Sequence, residues 1–236
     1  MKTLQAPLLI VLVLLLCCMT TARAAAPAVK STAAPTALAP APEVKLEGTA
    51  PAVTEAPAAS TLANLQAAYN GESNAKVRYE AFAKKADEEG YAGVARLFRA
   101  AARAEQVHLE NHAKVIQAMK GTPTAVIVAP DVKSTKENLE AAVVGENYER
   151  LTMYPQFIEL AKKERNSKAV QTFTRAMKVE AVHATLYKAA LDNLEQWKKA
   201  DKTFLVCPVC GYTTDDGTFK KCPICATPRT KFMEVK

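Results

Sequence analysis

Glu105-Gln106-Val107-His108 and Glu180-Ala181-Val182-His183 are two copies of one pattern, Glu-x-x-His, set 75 residues apart in a chain that holds only three histidines. On a helix, positions i and i+3 share a face, so each copy points a carboxylate and an imidazole the same way. The flanking apolar positions step by three or four. One run reads Val94, Leu97, Ala101, Glu105, His108, His112, Val115 and Met119; another reads Val170, Phe173, Ala176, Glu180, His183, Tyr187, Leu191 and Leu194. Acids and histidines therefore occupy the stripe that a helix normally buries. Two more runs behave alike. Leu62, Leu65, Tyr69, Ala75, Tyr79, Phe82 and Ala86 leave a gap filled by Glu72, while Leu139, Val143, Glu146, Glu149 or Arg150, Met153, Phe157 and Leu160 follow a capping-box pattern, Ser134 with Glu137.

Four helices are thus predicted. Gly90 separates the first pair, Asn166 and Ser167 the second, and a longer link carries Gly121, Pro123, Pro130 and Asp131. Short loops make antiparallel neighbours, so the pattern predicts two helical hairpins joined by a crossover, with a kink at Pro155. The hairpins also repeat one another. Glu72 precedes Glu105 by 33 residues and Glu146 precedes Glu180 by 34, while Phe98 and Phe173 share the 75-residue offset of the two motifs. Such a repeat predicts a pseudo-twofold bundle with matched groups near its axis.

Buried unpaired carboxylates are costly, so these acids need cations. One Glu from each of two helices plus a Glu-x-x-His from each of the other two is the donor set of di-iron and di-manganese bundles. Here it is supplied by Glu72, Glu146, Glu105 with His108, and Glu180 with His183. Mixed oxygen and nitrogen donors without thiolate suit iron or manganese. His112 shares the stripe but lacks a Glu three residues earlier, and reads as a core or rim histidine. Tyr79 and Tyr154 lie seven and eight residues past Glu72 and Glu146. They are placed to donate hydrogen bonds to ligand carboxylates, and packing explains them equally well.

The six cysteines fall in two groups. Cys207-Pro-Val-Cys210 and Cys222-Pro-Ile-Cys225, separated by eleven residues, have the spacing of a tetrahedral thiolate site. Iron, zinc and a pair of disulfides all remain open for them. Cys17 and Cys18 lie in an apolar run from Leu8 to Met19, followed by Ala22-Arg23-Ala24, the form of a secretory signal cleaved after Ala24. An uncleaved membrane anchor is the alternative. Residues 25–59 hold 13 Ala and 6 Pro in 35 positions and read as a disordered tether. A composition of 49% hydrophobic and 23% charged residues excludes a membrane channel and a wholly disordered chain. The net charge of +7 is spread over the chain without a basic, aromatic-interleaved cluster, so no nucleic-acid partner is expected.

Gly71-Glu72-Ser73, Glu105-x-x-His108, Gly145-Glu146-x-x-Glu149, Met153-Tyr154-Pro155, Glu180-x-x-His183 and the two cysteine knuckles together resemble the rubrerythrin family over residues 60–236. The resemblance implies a mainly α fold: a ferritin-like di-iron four-helix bundle over 60–200, then a rubredoxin-like domain over 201–236. It implies Glu149 as an additional ligand, with one iron exchanging between Glu149 and His108 as the redox state changes. It further implies reduction of hydrogen peroxide to water, a relay iron held by the four thiolates of Cys207, Cys210, Cys222 and Cys225, and a homodimer across whose interface electrons pass. Two features depart from the family. An exported, periplasmic protein leaves the electron donor unidentified, because family members are mostly cytoplasmic, and His112 stands where a basic residue is more usual. Ferroxidase or iron-sequestering activity is the main rival reading, and a zinc-ribbon interaction module a weaker one.

Overall fold

The computed structural model describes residues 60–198 and 201–236. The signal expected over 1–24 and the tether expected over 25–59 lie outside the described residues. Helix α1 (Thr61–Glu88) starts at Ser60, whose Oγ accepts the Ala63 N–H at 3.1 Å. It turns at Gly90, whose φ of +79° is open to glycine at no steric cost, into α2 (Ala92–Ala118). Helix α3 (Thr135–Tyr148) begins with the expected capping box of Ser134 and Glu137. Helix α5 (Ser167–Asp192) begins at Asn166, whose side chain accepts the Ala169 N–H at 3.0 Å.

The third helix is not a single kinked rod. A π-helical turn (Glu149–Met153) interrupts it before α4 (Tyr154–Lys163). The Tyr154 N–H bonds back five residues to the Glu149 carbonyl. Pro155 comes next and has no N–H to place, so the register can change there without orphaning a donor. The expected distortion at Pro155 is therefore a widened turn just before it. A short α6 (Leu194–Lys198) follows α5, where the apolar periodicity had suggested one continuous helix.

The crossover between α2 and α3 contains no helix, and α1 holds it in place. Gln66, Asn70 and Asn74, four residues apart on one face, form an amide ladder. Asn70 Oδ1 accepts the Val126 N–H at 2.8 Å, and Asn74 Oδ1 accepts the Val128 N–H at 2.8 Å. Asn74 Nδ2 donates to the Val126 carbonyl at 2.9 Å, and Gln66 Nε2 donates to the Thr122 carbonyl at 2.6 Å. A strap without secondary structure thereby satisfies its backbone.

Two apolar clusters fill the bundle. One gathers Tyr79, Phe82, Phe98 and Tyr187, with the Phe98 and Tyr187 ring centroids 5.2 Å apart. The other gathers Leu65, Ile116, Tyr154 and Phe173. The C-terminal module is a three-stranded antiparallel sheet in the order β2 (Thr213–Thr214), β1 (Phe204–Val206), β3 (Met233–Val235). Phe204 and Val206 of β1 are fully buried within the first cluster, and Phe204 stacks on Trp197 of α6. The module and the bundle thus share a core. Among the described residues no helix is long and apolar enough to cross a membrane.

Candidate metal centre

All six residues of the predicted donor set face one point inside the bundle. Glu72 comes from α1, Glu105 and His108 from α2, Glu146 from α3, and Glu180 and His183 from α5; all are buried. They form two overlapping groups, Glu72, Glu105, His108 and Glu180, and Glu105, Glu146, Glu180 and His183, within each of which donor atoms lie no more than 4.8 Å apart. Glu105 and Glu180 belong to both groups, as bridging carboxylates between two metals would. His108 Nδ1 lies 2.8 Å from Glu105 and 3.0 Å from Glu180. His183 Nδ1 lies 3.1 Å from Glu180 and 3.3 Å from Glu105.

The residues fit two cations on their own evidence. Glu72 Oε2, Glu105 Oε1, Glu146 Oε2, both Glu180 oxygens and His183 Nδ1 are buried without a hydrogen-bond partner. Protein interiors do not leave so many polar atoms orphaned unless a charge belongs among them. Protons spread to cover the deficit. Burial, then Glu105 and Glu180, raises the Glu72 carboxyl well above the usual range, and burial raises Glu146 to about 7. Burial also opposes ionisation of Glu105, but hydrogen bonds and charge from His108 and His183 outweigh it and hold that carboxyl at about 2. Both imidazoles, whose charged form burial disfavours, are raised well above their ordinary value, chiefly by Glu180 for His108 and Glu146 for His183. Metal would displace these protons.

Tyr79 and Tyr154 both reach ligand carboxylates, and they do so crosswise. The Tyr79 hydroxyl of α1 donates to Glu146 Oε1 of α3 at 2.6 Å, and the Tyr154 hydroxyl of α4 donates to Glu72 Oε1 of α1. Each tyrosine thus serves the carboxylate of the other hairpin, which sequence spacing alone did not show. Glu149 lies on the π-turn outside both donor groups. It lines a cavity of about 810 Å³ together with Arg78, Asn74, Met153 and Pro130. Burial and the four neighbouring carboxylates, Glu72 foremost, raise its pKa well above the usual value. His112 is fully buried and outside both donor groups. Burial lowers its pKa to about 3.

The four distal cysteines converge as free thiols with sulfurs within 4.8 Å of one another. Cys207 and Cys225 sulfurs lie 3.5 Å apart, as do those of Cys210 and Cys222, which excludes the disulfide alternative in this structure. Hydrogen bonding from Cys210 draws the Cys207 thiol down to about 5, toward the thiolate a metal requires.

This knuckle sits directly on the bundle site. The outer nitrogen of His108, Nε2, donates to the Cys210 carbonyl at 3.1 Å. His183 Nε2 lies 3.2 Å from Thr213 Oγ1, whose own proton goes to the Gly211 carbonyl, so this nitrogen also donates. Both rings are thereby held with Nδ1 turned inward as the metal-binding atom. Asn111 Nδ2 donates to the Val209 carbonyl at 3.0 Å beside them. Gly211 is required at the contact: a β-carbon there would lie 2.6 Å from His108 Nε2, and its φ is +81°. Sequence reading found the ligands on both sides of this contact but not the contact.

These features define a di-iron carboxylate bundle joined to a four-cysteine module that holds iron or zinc. Residues 63–191 match the family described as Rubrerythrin, and residues 206–233 match that described as Rubrerythrin, rubredoxin-like domain. The chain belongs to the rubrerythrin family. It is 46% identical to nigerythrin of Nitratidesulfovibrio vulgaris over 154 residues, 65% of this chain and 75% of that one. It is 35% identical to rubrerythrin-2 of Clostridium acetobutylicum, over 72% of this chain and 93% of the relative. The structure of nigerythrin described as fully reduced and all ferrous superposes with a TM-score of 0.71 at 42% identity, covering 78% of this chain and 90% of that one. A Desulfovibrio desulfuricans bacterioferritin, at 22% identity and a TM-score of 0.55 over 59% of this chain and 82% of its own, shares the bundle fold.

Proposed function

We propose that the chain is a non-haem peroxidase that reduces hydrogen peroxide to water at the bundle site, drawing electrons through the iron of the four-cysteine module, in defence against oxidative stress. The observation that carries this reading is the hydrogen bond from His108 to the Cys210 carbonyl, because iron storage has no need of a thiolate site seated on a metal ligand. Two irons, when bound, store the two electrons that peroxide takes up, and a thiolate-bound iron passes one electron at a time. The protein's own residues do the rest. His108 and His183 would hold the metals through Nδ1; Tyr79 and Tyr154 orient Glu146 and Glu72; the two apolar clusters keep bulk water away. Glu149, at the cavity wall, is the mobile carboxylate that exchanges with His108 between redox states.

The relay contact lies within one chain and supports electron entry through it; a homodimer, with electrons passing across its interface, belongs to the same reading. Export to the periplasm belongs to it too, on the strength of residues 1–24, and the donor is then an extracytoplasmic electron carrier.

The test is to purify the protein anaerobically, measure its metals and absorption spectrum, and mix the reduced form with peroxide or with air. Faster reoxidation by peroxide supports the peroxidase; reoxidation no faster than by air favours ferroxidase or storage. Zinc at the four cysteines would remove the relay. Glu149→Ala is expected to impair peroxide turnover more than iron binding, and equal loss of both would refute its mobile role.

A further inference from the structure

Three buried hydrogen bonds join α5, α2, α4 and α1 in a line that ends on a metal ligand. Thr172 Oγ1 of α5 lies 3.1 Å from His112 Nδ1 of α2, and His112 Nε2 lies 3.1 Å from the Tyr154 hydroxyl of α4. Tyr154 in turn donates to Glu72 Oε1 of α1. The last link sets the polarity of the others. Because the single Tyr154 proton goes to Glu72, the phenol oxygen must accept from His112 Nε2–H. A neutral imidazole has one donor and one acceptor, so Nδ1 must accept the Thr172 hydroxyl proton. Every donor then points the same way, toward the metal site.

We propose that Thr172, His112 and Tyr154 form a proton relay into the Glu72 side of the di-iron site, with His112 as its pivot. The proposal rests on the peroxidase reading and deepens it. Glu72, His112 and Tyr154 have no exposed surface, whereas Thr172 retains 7%, so the line runs from the edge of the bundle inward. Glu72 Oε1 is 3.9 Å from His112 Nε2, beyond hydrogen-bonding reach, so the phenol is the necessary intermediate.

Reduction of peroxide breaks the O–O bond and consumes two protons and two electrons, and each oxygen leaves as water. Two ferrous ions, when bound, would supply the electrons. Each proton passed from Tyr154 to the Glu72 side is replaced from His112 Nε2, while Nδ1 takes the Thr172 proton and solvent restores the hydroxyl. Each passage leaves the ring in the Nδ1–H tautomer, which must reset before the next.

Two measurements test this. In protein loaded with zinc, which is diamagnetic and keeps Glu72 ionised, long-range proton–nitrogen correlation spectra should show His112 as the Nε2–H tautomer with a slowly exchanging proton; the Nδ1–H tautomer or an imidazolium would overturn the relay. In reduced, iron-loaded protein, Thr172→Val should slow reoxidation by peroxide about tenfold or more, with an enlarged solvent isotope effect and unchanged metal content and absorption. Thr172→Ser, which keeps the hydroxyl, should restore the rate. A wild-type rate in Thr172→Val, or equal slowing in both variants, would mean that only packing matters there. A wild-type protein that peroxide does not reoxidise would instead fail the peroxidase reading, leaving the tautomer measurement to decide the polarity of the line.

Discussion

Single atoms decide the contact between the two metal modules. Gly211 is required twice over, by its positive φ and by the 2.6 Å left between a would-be β-carbon and His108 Nε2. Gly211→Ala should loosen the module from the bundle, seen as faster proteolysis between α6 and β1 and slower electron transfer into the bundle. Gly71→Ala, with nothing within 4 Å of its β-carbon, should leave both unchanged. Phe98 is a different kind of residue. It is fully buried among Tyr79, Phe82 and Tyr187, so Phe98→Ala should cost about 3–5 kcal/mol, measurable by chemical denaturation. In the sequence it stood out through the 75-residue offset it shares with Phe173. The role of Gly211 did not stand out, because a glycine beside Cys210 explains itself by the knuckle turn alone.

At the scale of elements, the helix starts followed from local chemistry and the irregular segments did not. The Ser134 and Glu137 capping box is a local signal, and Ser134→Ala should destabilise the protein by about 1 kcal/mol in a denaturant titration. The crossover strap is fixed by side chains some fifty residues away in sequence, which no local pattern announces. Asn74 satisfies both a carbonyl and an N–H of the strap, as Gln66 does at Thr122 and Thr124. Asn74→Ala should therefore raise amide hydrogen exchange at Val128, while the Val126 N–H, held by Asn70, and the centre of α1 stay protected. The π-turn belongs here as well. Pro155 marked a distortion, but its widened form, which carries Glu149 to the cavity wall, depends on how α3 and α4 pack.

For the whole molecule, the metal site governs the pH dependence of stability. Glu146, with a folded pKa of about 7 against about 4.3 unfolded, binds more protons folded than unfolded between those values. Its contribution is complete below about pH 4 and is lost as pH rises through 7. Glu72, His108 and His183 are raised in the same sense, while Glu105, held at about 2, adds stability that is lost only on acidification toward that value. Metal-free protein should thus melt at progressively lower temperature from about pH 5 to about pH 8. Metal-loaded protein should not, because bound cations replace the protons. Thermal scans of both forms across that range check the prediction; parallel curves would contradict it.

The sequence by itself determined the four-helix pattern, the two Glu-x-x-His pairs, the two further acids and the cysteine knuckles. Each is a matter of spacing along one helix or one turn, where residue types at i and i+3 or in a Cys-x-x-Cys carry their own geometry. Only the tertiary structure decided which groups meet across helices. It crossed Tyr79 to Glu146 and Tyr154 to Glu72, set Glu149 at a cavity wall, gave His112 its two hydroxyl partners and seated the Cys210 carbonyl on His108. Those pairings depend on helix rotation and on how the module packs, which the whole buried core sets together and no short stretch of chain can specify.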